Sequence, residues 1–264
     1  MTTAWKNFEI QCTNFLKDKF SEYAAFYHQG GADSTVPDIL VQTKSGRSFY
    51  IEAKHSPAQC GQFVLLPDLK THTFEYSKLN VNHINTYAQM IIDYMNQDFD
   101  AFREAGTTGK DIDIKDGLHI FASWIVHTYQ NKGAAFFITN DYVIFPINRF
   151  TDYFDVTAKY RIKRSGSRNV GKKSLKSVQD YIFAHDYDIA NFHTIKDKLF
   201  VSSPQELHNH RFILDGTEYM FSIRNDEYEI RKLSNTYNAN VIFSIKLKTS
   251  MHGLSDQEFI DCLK

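Results

Sequence analysis

Two runs of the 264-residue chain, Asp38-Ile-Leu-Val-Gln-Thr43 and Ser48-Phe-Tyr-Ile-Glu-Ala-Lys54, constrain its fold more than any other feature. Both have strand composition, and Lys44-Ser45-Gly46 between them offers a glycine where a tight connection wants a left-handed residue. They read as a β-hairpin. If the loop has three residues, Thr43 pairs with Arg47 and, counting back, Asp38 lies directly opposite Glu52. A two-residue loop at Ser45-Gly46 moves the pairing by one and sets Asp38 between Glu52 and Lys54, with a change in which face each takes. Either register gathers Asp38, Glu52 and Lys54, and Lys54 points the same way as Glu52 because two residues separate them.

Acids placed across strands repel each other unless something cationic joins them. Glu52 also interrupts the apolar run Phe49-Tyr-Ile-Glu-Ala, where a charge needs a partner. A divalent cation held by the two carboxylates, with the lysine alongside, answers both needs. Magnesium takes oxygen ligands and commonly uses one or two carboxylates plus substrate phosphate oxygens, and Mn²⁺ suits the same donors. Bound there, such an ion polarises a phosphodiester and lowers the pKa of an attacking water. The lysine stabilises charge developing on the phosphate or positions that water.

Pro37-Asp38 followed by Glu52-Ala53-Lys54 resembles the PD-(D/E)xK nuclease superfamily, which includes many Type II restriction endonucleases. The resemblance covers residues 37–54 directly. It implies an α/β (α+β) core, a mixed central sheet flanked by helices, with Asp38 and Glu52 as metal ligands, the Ala53 carbonyl as a further ligand and Lys54 as the catalytic lysine. In several branches of the superfamily an acid on the first helix completes the metal site. Glu9 matches that position, since it falls among Trp5, Cys12 and Leu16 at helical spacing, on or beside the apolar face. A boundary acid reaching solvent is the other reading of Glu9. Gln59 and Gln62 follow Lys54 closely and are expected at the rim of the site, in contact with phosphate or water, or as a polar loop making its own hydrogen bonds.

Residues 159–176 carry eight cations and no acid, although the chain as a whole has a net charge of −1. Local cation density matters more than the average for a polyanionic partner. Lys163, Arg164, Ser165, Ser167, Arg168, Asn169, Lys172 and Lys173 are the candidate DNA contacts, on what reads as an exposed loop. Cations and small polar groups there meet phosphates, and Arg164 or Arg168 suits a bidentate contact to guanine.

Elsewhere, residues 4–20 read as a helix capped by Thr2 or Thr3, 22–31 as a segment ending in a Gly30-Gly31 loop, and 79–103 as one long helix. Leu118–Tyr129 is a buried strand or short helix. Ala134–Thr139 and Tyr142–Ile147 read as a hairpin turning at Asn140-Asp141. Strands follow at Arg211–Leu214, Glu218–Ile223, Glu227–Leu233 and Asn240–Leu247, with a terminal helix near Asp256–Cys262. These divide into a nuclease core over 1–195 and a β-rich portion over 196–264.

No stretch is long and apolar enough for a membrane helix, and the first residues lack a signal-peptide pattern. Three widely spaced cysteines form no C-x-x-C pair, which argues against a zinc site and for a reducing cytoplasm. His208 and His210 have no third ligand in register and read as a surface pair. No phosphate-cradling glycine motif occurs, so nothing argues for ATP or a dinucleotide. The leading expectation is a Type II restriction endonuclease-like enzyme making Mg²⁺-dependent, site-specific double-strand cuts. By resemblance it acts on double-stranded DNA as a homodimer, with a companion DNA methyltransferase in the same system. A repair nuclease of the junction-resolvase kind and a non-catalytic DNA-binding protein are the alternatives.

Overall fold

The expected hairpin lies in the middle of a five-stranded mixed sheet in the computed structural model, which describes residues 4–30, 35–164, 166–234, 236–248 and 252–264. The chain opens with α1 (Ala4–Phe20), β1 (Ala24–His28), β2 (Ile39–Thr43) and β3 (Ser48–Ala53). A second hairpin, β4 (Ala58–Asp68) and β5 (Thr73–Tyr76), leads to α2 (Thr86–Asn96), α3 (Phe99–Arg103), β6 (Lys110–Asp111) and α4 (Gly117–Asn131). Then come β7 (Ala134–Ile138), β8 (Ile144–Pro146), α5 (Phe150–Tyr153) and β9 (Phe154–Arg164). β10 (Ser167–Asn169), α6 (Leu175–Ala184), β11 (Asn191–Ile195), β12 (Lys198–Ser202), β13 (Arg211–Leu214), β14 (Thr217–Arg224) and β15 (Glu227–Leu233) follow. β16 (Tyr237–Leu247) and α7 (Asp256–Leu263) end the chain.

The first sheet runs β1-β2-β3-β7-β8, with β3 and β7 parallel and the other pairs antiparallel. Alternation along β2 and β3 turns Ile39, Val41, Ile51 and Ala53 toward one core, where they meet Cys12, Leu16 and Phe20 of α1 and Phe259 and Leu263 of α7. Each large apolar side chain buried there contributes about 1.5–3 kcal/mol relative to exposure. A second sheet runs β5-β4-β16-β9-β6. Behind it Trp124 of α4 stacks on Phe243 of β16 at 4.4 Å and lies 5.5 Å from Phe63 of β4. Gly61 permits this: its φ is +103°, and a Cβ would stand 2.7 Å from the Trp124 ring.

The chain divides into two compact units, Met1–Arg161 with Ala239–Lys264, and Ile162–Asn238. The second holds the sheet β11-β12-β15-β14-β13, with β10 added beside β15. Val178 and Ile182 of α6 pack on its Leu199, Val201, Phe221 and Ile230. Residue 195, where a division was expected, ends β11 inside this second unit, and β16 belongs with the first.

Several expectations need revision. The stretch 79–103 is not one helix: 79–85 is irregular, Asn85 caps α2 by accepting the Ala88 N–H at 2.8 Å, and the chain breaks again before α3. Leu118–Tyr129 lies within α4. Residues 24–28, read as part of a loop-bound segment, form β1. Trp5 is 52% exposed and so lies off the apolar face of α1, whereas Cys12 and Leu16 are buried. The proposed caps Thr2 and Thr3 lie outside the described residues. The hairpin at 134–147 and the strands from Arg211 to Leu247 form as expected. Among the described residues no helix is long and apolar enough to cross a membrane.

Candidate active site and basic surface

The β2–β3 loop has three residues. Thr43 N donates to Arg47 O at 2.9 Å, Gly46 N to Thr43 O at 3.0 Å, and Gly46 has φ +86°. Ile39 stands opposite Ile51 and Gln42 opposite Ser48, so one step back from Ile39 brings Asp38 opposite Glu52. Of the two registers open to the sequence, this is the first. Asp38 Oδ2 accepts the Ala53 N–H at 3.0 Å. The backbone beyond β3 is held by the neighbouring strand: Lys54 N donates to Ile138 O at 2.9 Å, and Thr139 Oγ1 donates to Lys54 O at 2.6 Å. Asn140 then accepts the Ser56 N–H and donates to its carbonyl. The three candidate side chains thus sit at or beside the ends of paired strands and not on free loops.

Glu52 is 4% exposed, and its Oε1 lies 2.5 Å from the Lys54 ammonium. Burial, followed by repulsion from Glu52, pushes the Asp38 carboxyl up to about 8, against the pull of Lys54 and the Ala53 N–H. Burial works against the Lys54 charge, but Glu52, then Tyr129 and Asp38, hold its pKa well above the ordinary lysine value. The protein alone therefore leaves negative charge here under-compensated and keeps the lysine protonated. Cys60 and Cys12 are buried thiols, both pushed up to about 12 chiefly by burial, which keeps them out of nucleophilic chemistry.

Glu9 is 6% exposed, as a carboxylate on the apolar side of α1. Its Oε2 lies 3.2 Å from His28 Nε2, and its charge helps raise the Asp38 pKa. Gly30 makes room for it, since a Cβ there would be 2.1 Å from Glu9 Oε2, and Gly30 N donates to Asp38 O. His28 and Gly30 escaped the sequence reading. The signal was alternation through Ala24, Phe26 and His28, which aims all three at α1. Tyr129 also escaped: the Lys54 ammonium lies 5.8 Å from its ring centroid. Gln59 and Gln62 lie on β4 and not in a loop, exposed, with Gln59 Nε2 donating to Gln62 Oε1 at 3.1 Å. Among the described residues no three of His, Cys, Asp and Glu converge as a ready-made metal cage.

In the second unit the basic segment is more ordered than the exposed loop expected of it. Lys163 and Arg164 end β9, Ser165 lies outside the described residues, and Ser167–Asn169 form β10, paired antiparallel with β15. Arg231 of β15 clamps this strand: it donates to Ser167 O at 2.8 Å and Asn169 Oδ1 at 2.5 Å, and it meets Glu229 Oε1 at 2.5 Å. Glu229 is 3% exposed and also receives Arg224. Arg168 is exposed and stands opposite Lys232. Lys172 and Lys173, both exposed, occupy a short 3₁₀ turn. A cavity of about 590 Å³ is lined by Arg168, Lys172, Lys173, Arg231, Lys232 and Asp197 among others. Like charges directly opposite destabilise a sheet, and Arg168 and Lys232 form such a pair. His208 Nδ1 accepts the Ile223 N–H, and the His210 ring packs against Tyr187 and Phe221.

No protein-family model matches the chain, and no curated protein does. Among solved structures, the HhaI endonuclease in complex with DNA matches with a TM-score of 0.77 at 35% identity, over 99% of this chain and 99% of that one. That likeness spans every element described above and favours restriction over repair or passive binding. An agreement in sequence of this extent reflects common descent, and the chain belongs to the Type II restriction endonucleases, in the family of the HhaI endonuclease.

Proposed function

We propose that this DNA endonuclease hydrolyses phosphodiesters at a magnesium site formed by Asp38, Glu52 and the Ala53 carbonyl, with Lys54 as the catalytic lysine. The observation that carries the reading is Asp38 opposite Glu52 across the hairpin, with the Lys54 ammonium 2.5 Å from Glu52. The donors fit the ion. They are hard oxygens, of the kind magnesium takes together with water and phosphate oxygens. Burial, and after it Glu52, pushes the Asp38 carboxyl up to about 8, and a cation brought to the pair would favour its charged form. When bound, the ion polarises the scissile phosphodiester and lowers the pKa of an attacking water. Mn²⁺ serves in its place.

The chain's own residues do the rest. Lys54, kept protonated and set beside Glu52, stabilises charge as it builds on the phosphate oxygens. The Ala53 N–H fixes the Asp38 carboxylate, so little reorganisation is needed as the reaction proceeds. Glu9 adds negative charge near Asp38 and strengthens the hold on a cation, while His28 orients it. Arg168, Lys172 and Lys173 bind the DNA backbone, and Arg164 or Arg168 reads a guanine edge. Gln59 and Gln62 lie exposed after the catalytic strand and contact phosphate or its water.

Plasmid DNA incubated with the protein should give discrete, reproducible fragments in Mg²⁺ or Mn²⁺ and none in EDTA. Glu52→Ala and Lys54→Ala should stop cutting while DNA binding persists; cutting by either variant at the wild-type rate would move the site elsewhere. A homodimer sets two such centres across a duplex and cuts both strands in one binding event. It should therefore linearise supercoiled plasmid without accumulating nicked circles, whereas a single-chain enzyme passes through them. A restriction role in the cytoplasm further calls for a DNA methyltransferase gene beside this one.

A further inference from the structure

The Lys54 ammonium has a carboxylate against it and an aromatic ring within reach. Glu52 Oε1 is 2.5 Å away. The Tyr129 ring centroid is 5.8 Å away, inside the distance of about 6 Å over which a ring face attracts a cation. Tyr129 lies buried in the last turn of α4. Its ring stands edge-on to Phe137 of β7, with centroids 5.4 Å apart and planes at 75°, and Phe137 is the residue paired with Glu52 across β3 and β7. Its hydroxyl reaches the buried Cys60 thiol of β4. The ring is thus fixed by two strands. The Lys54 backbone is fixed to one of them, since its N–H donates to Ile138 O of β7 and its carbonyl accepts from Thr139 just beyond.

Glu52 cannot serve a divalent ion and Lys54 equally. Once its carboxylate turns to an ion, the ammonium stands beside a second cation at the end of a flexible four-carbon stem. An aromatic face attracts an ammonium without carrying a formal charge, and more strongly when the contact is desolvated. It therefore holds the lysine without competing for the ion. A carboxylate in the ring's place would add a third acid to Asp38 and Glu52, and an aliphatic side chain would fill the space but leave the ammonium free to swing.

We propose that Tyr129 is a positioning residue for Lys54: its ring face keeps the ammonium at the catalytic centre when Glu52 turns to a divalent cation. The inference rests on the reading of Asp38, Glu52 and Lys54 as that centre. Tyr129 also packs α4 on β7, but packing depends on the outline of the ring and not on the charge distribution over its face, which provides the test.

Phenylalanine and its mono-, di-, tri- and pentafluoro analogues are placed at position 129 of the full chain, because fluorine drains the negative ring face while altering its outline little. Single-turnover cleavage at saturating DNA should slow stepwise along the series, by about tenfold at the pentafluoro ring, while DNA binding in EDTA stays constant across it. A rate independent of fluorine content would overturn the proposal. The Lys132 ammonium lies 5.3 Å from the same centroid, so Lys54 is also read directly, in the metal-free protein. With isotope-labelled lysine, the Lys54 side-chain protons should show an upfield ring-current displacement that persists in Glu52→Gln and disappears in Tyr129→Leu. Its loss in Glu52→Gln would mean that the carboxylate alone places the lysine, and would overturn the proposal. If Tyr129→Leu does not fold, the fluorinated series still decides. Wild-type cleavage by Lys54→Ala would overturn the catalytic reading and this inference with it, whereas a flat fluorine series beside an inactive Lys54→Ala would overturn the inference alone.

Discussion

Asp38 and Glu52 face each other without a countercharge equal to both, and the consequence is measurable at a single residue. Burial, followed by repulsion from Glu52, pushes the Asp38 carboxyl up to about 8, against an ordinary value near 3.8. A raised carboxyl pKa means that the folded state holds the proton more tightly than the unfolded chain. The stability this brings is present below pH 4 and is lost as pH rises toward 8. In EDTA, Asp38→Asn, which keeps an oxygen for the Ala53 N–H, should therefore exceed the wild type in stability at pH 8, by on the order of several kcal/mol, and match it near pH 4. It should not cut DNA. Melting curves at the two pH values check this, and an equal gap at both would show that Asp38 carries no such strain. Glu9→Gln is expected to raise the Mg²⁺ concentration needed for half-maximal cutting, and an unchanged requirement would leave Glu9 with a purely structural task. The convergence of Asp38, Glu52 and Lys54 was legible because they lie within one hairpin, where loop length sets register. His28, Gly30 and Tyr129 were not, because their meetings with Glu9 and Lys54 depend on how distant elements pack.

Among the elements, β10 shows what local pattern cannot reveal. Ser167, Arg168 and Asn169 have loop composition, yet Arg231, more than sixty residues later, holds them as a strand through the Ser167 carbonyl and the Asn169 side chain. The same guanidinium meets Glu229, whose burial makes the pair sensitive to loss of either member. Breaking a buried pair by removing one partner typically costs about 3–5 kcal/mol. Arg231→Met should destabilise the second unit by an amount of that order. Because Arg224 also reaches Glu229, the lower end of the range is expected. Pairing it with Glu229→Gln should restore part of the loss, as denaturant unfolding would register. Amide exchange at Ser167 and Asn169 should quicken in Arg231→Met, and unchanged protection would show that backbone pairing alone secures the strand. The long helix expected over 79–103 failed for a related reason. Its apolar spacing was helical, but Asn80 bonds both backbone groups of Val64 across the β4 edge and Asn85 caps α2, so 79–85 follows β4 instead.

At the scale of the whole molecule, a net charge of −1 and an affinity for a polyanion are compatible only if cations are gathered. They are gathered in the second unit, which the chain enters after Arg161 and leaves at Asn238 before completing the first with β16. This excursion was not legible: the division was sought where composition turns β-rich, but strands 16 and 15, consecutive in sequence, serve different sheets. A DNA grip by the cations of the second unit would be separable from chemistry at Asp38, Glu52 and Lys54 in the first. Binding should depend steeply on salt, since each phosphate neutralised contributes about 0.9 to the slope of log K against log salt. Replacing Arg168, Lys172 and Lys173 together with alanine should therefore lower that slope by roughly 2–3. The rate of cutting at saturating DNA should change little, because Asp38, Glu52 and Lys54 belong to the first unit. Binding isotherms at several salt concentrations, set beside single-turnover rates, measure both. An unaltered slope would mean that these cations do not face the DNA. A collapsed rate at saturation would mean that the second unit acts on the chemistry as well as on the grip.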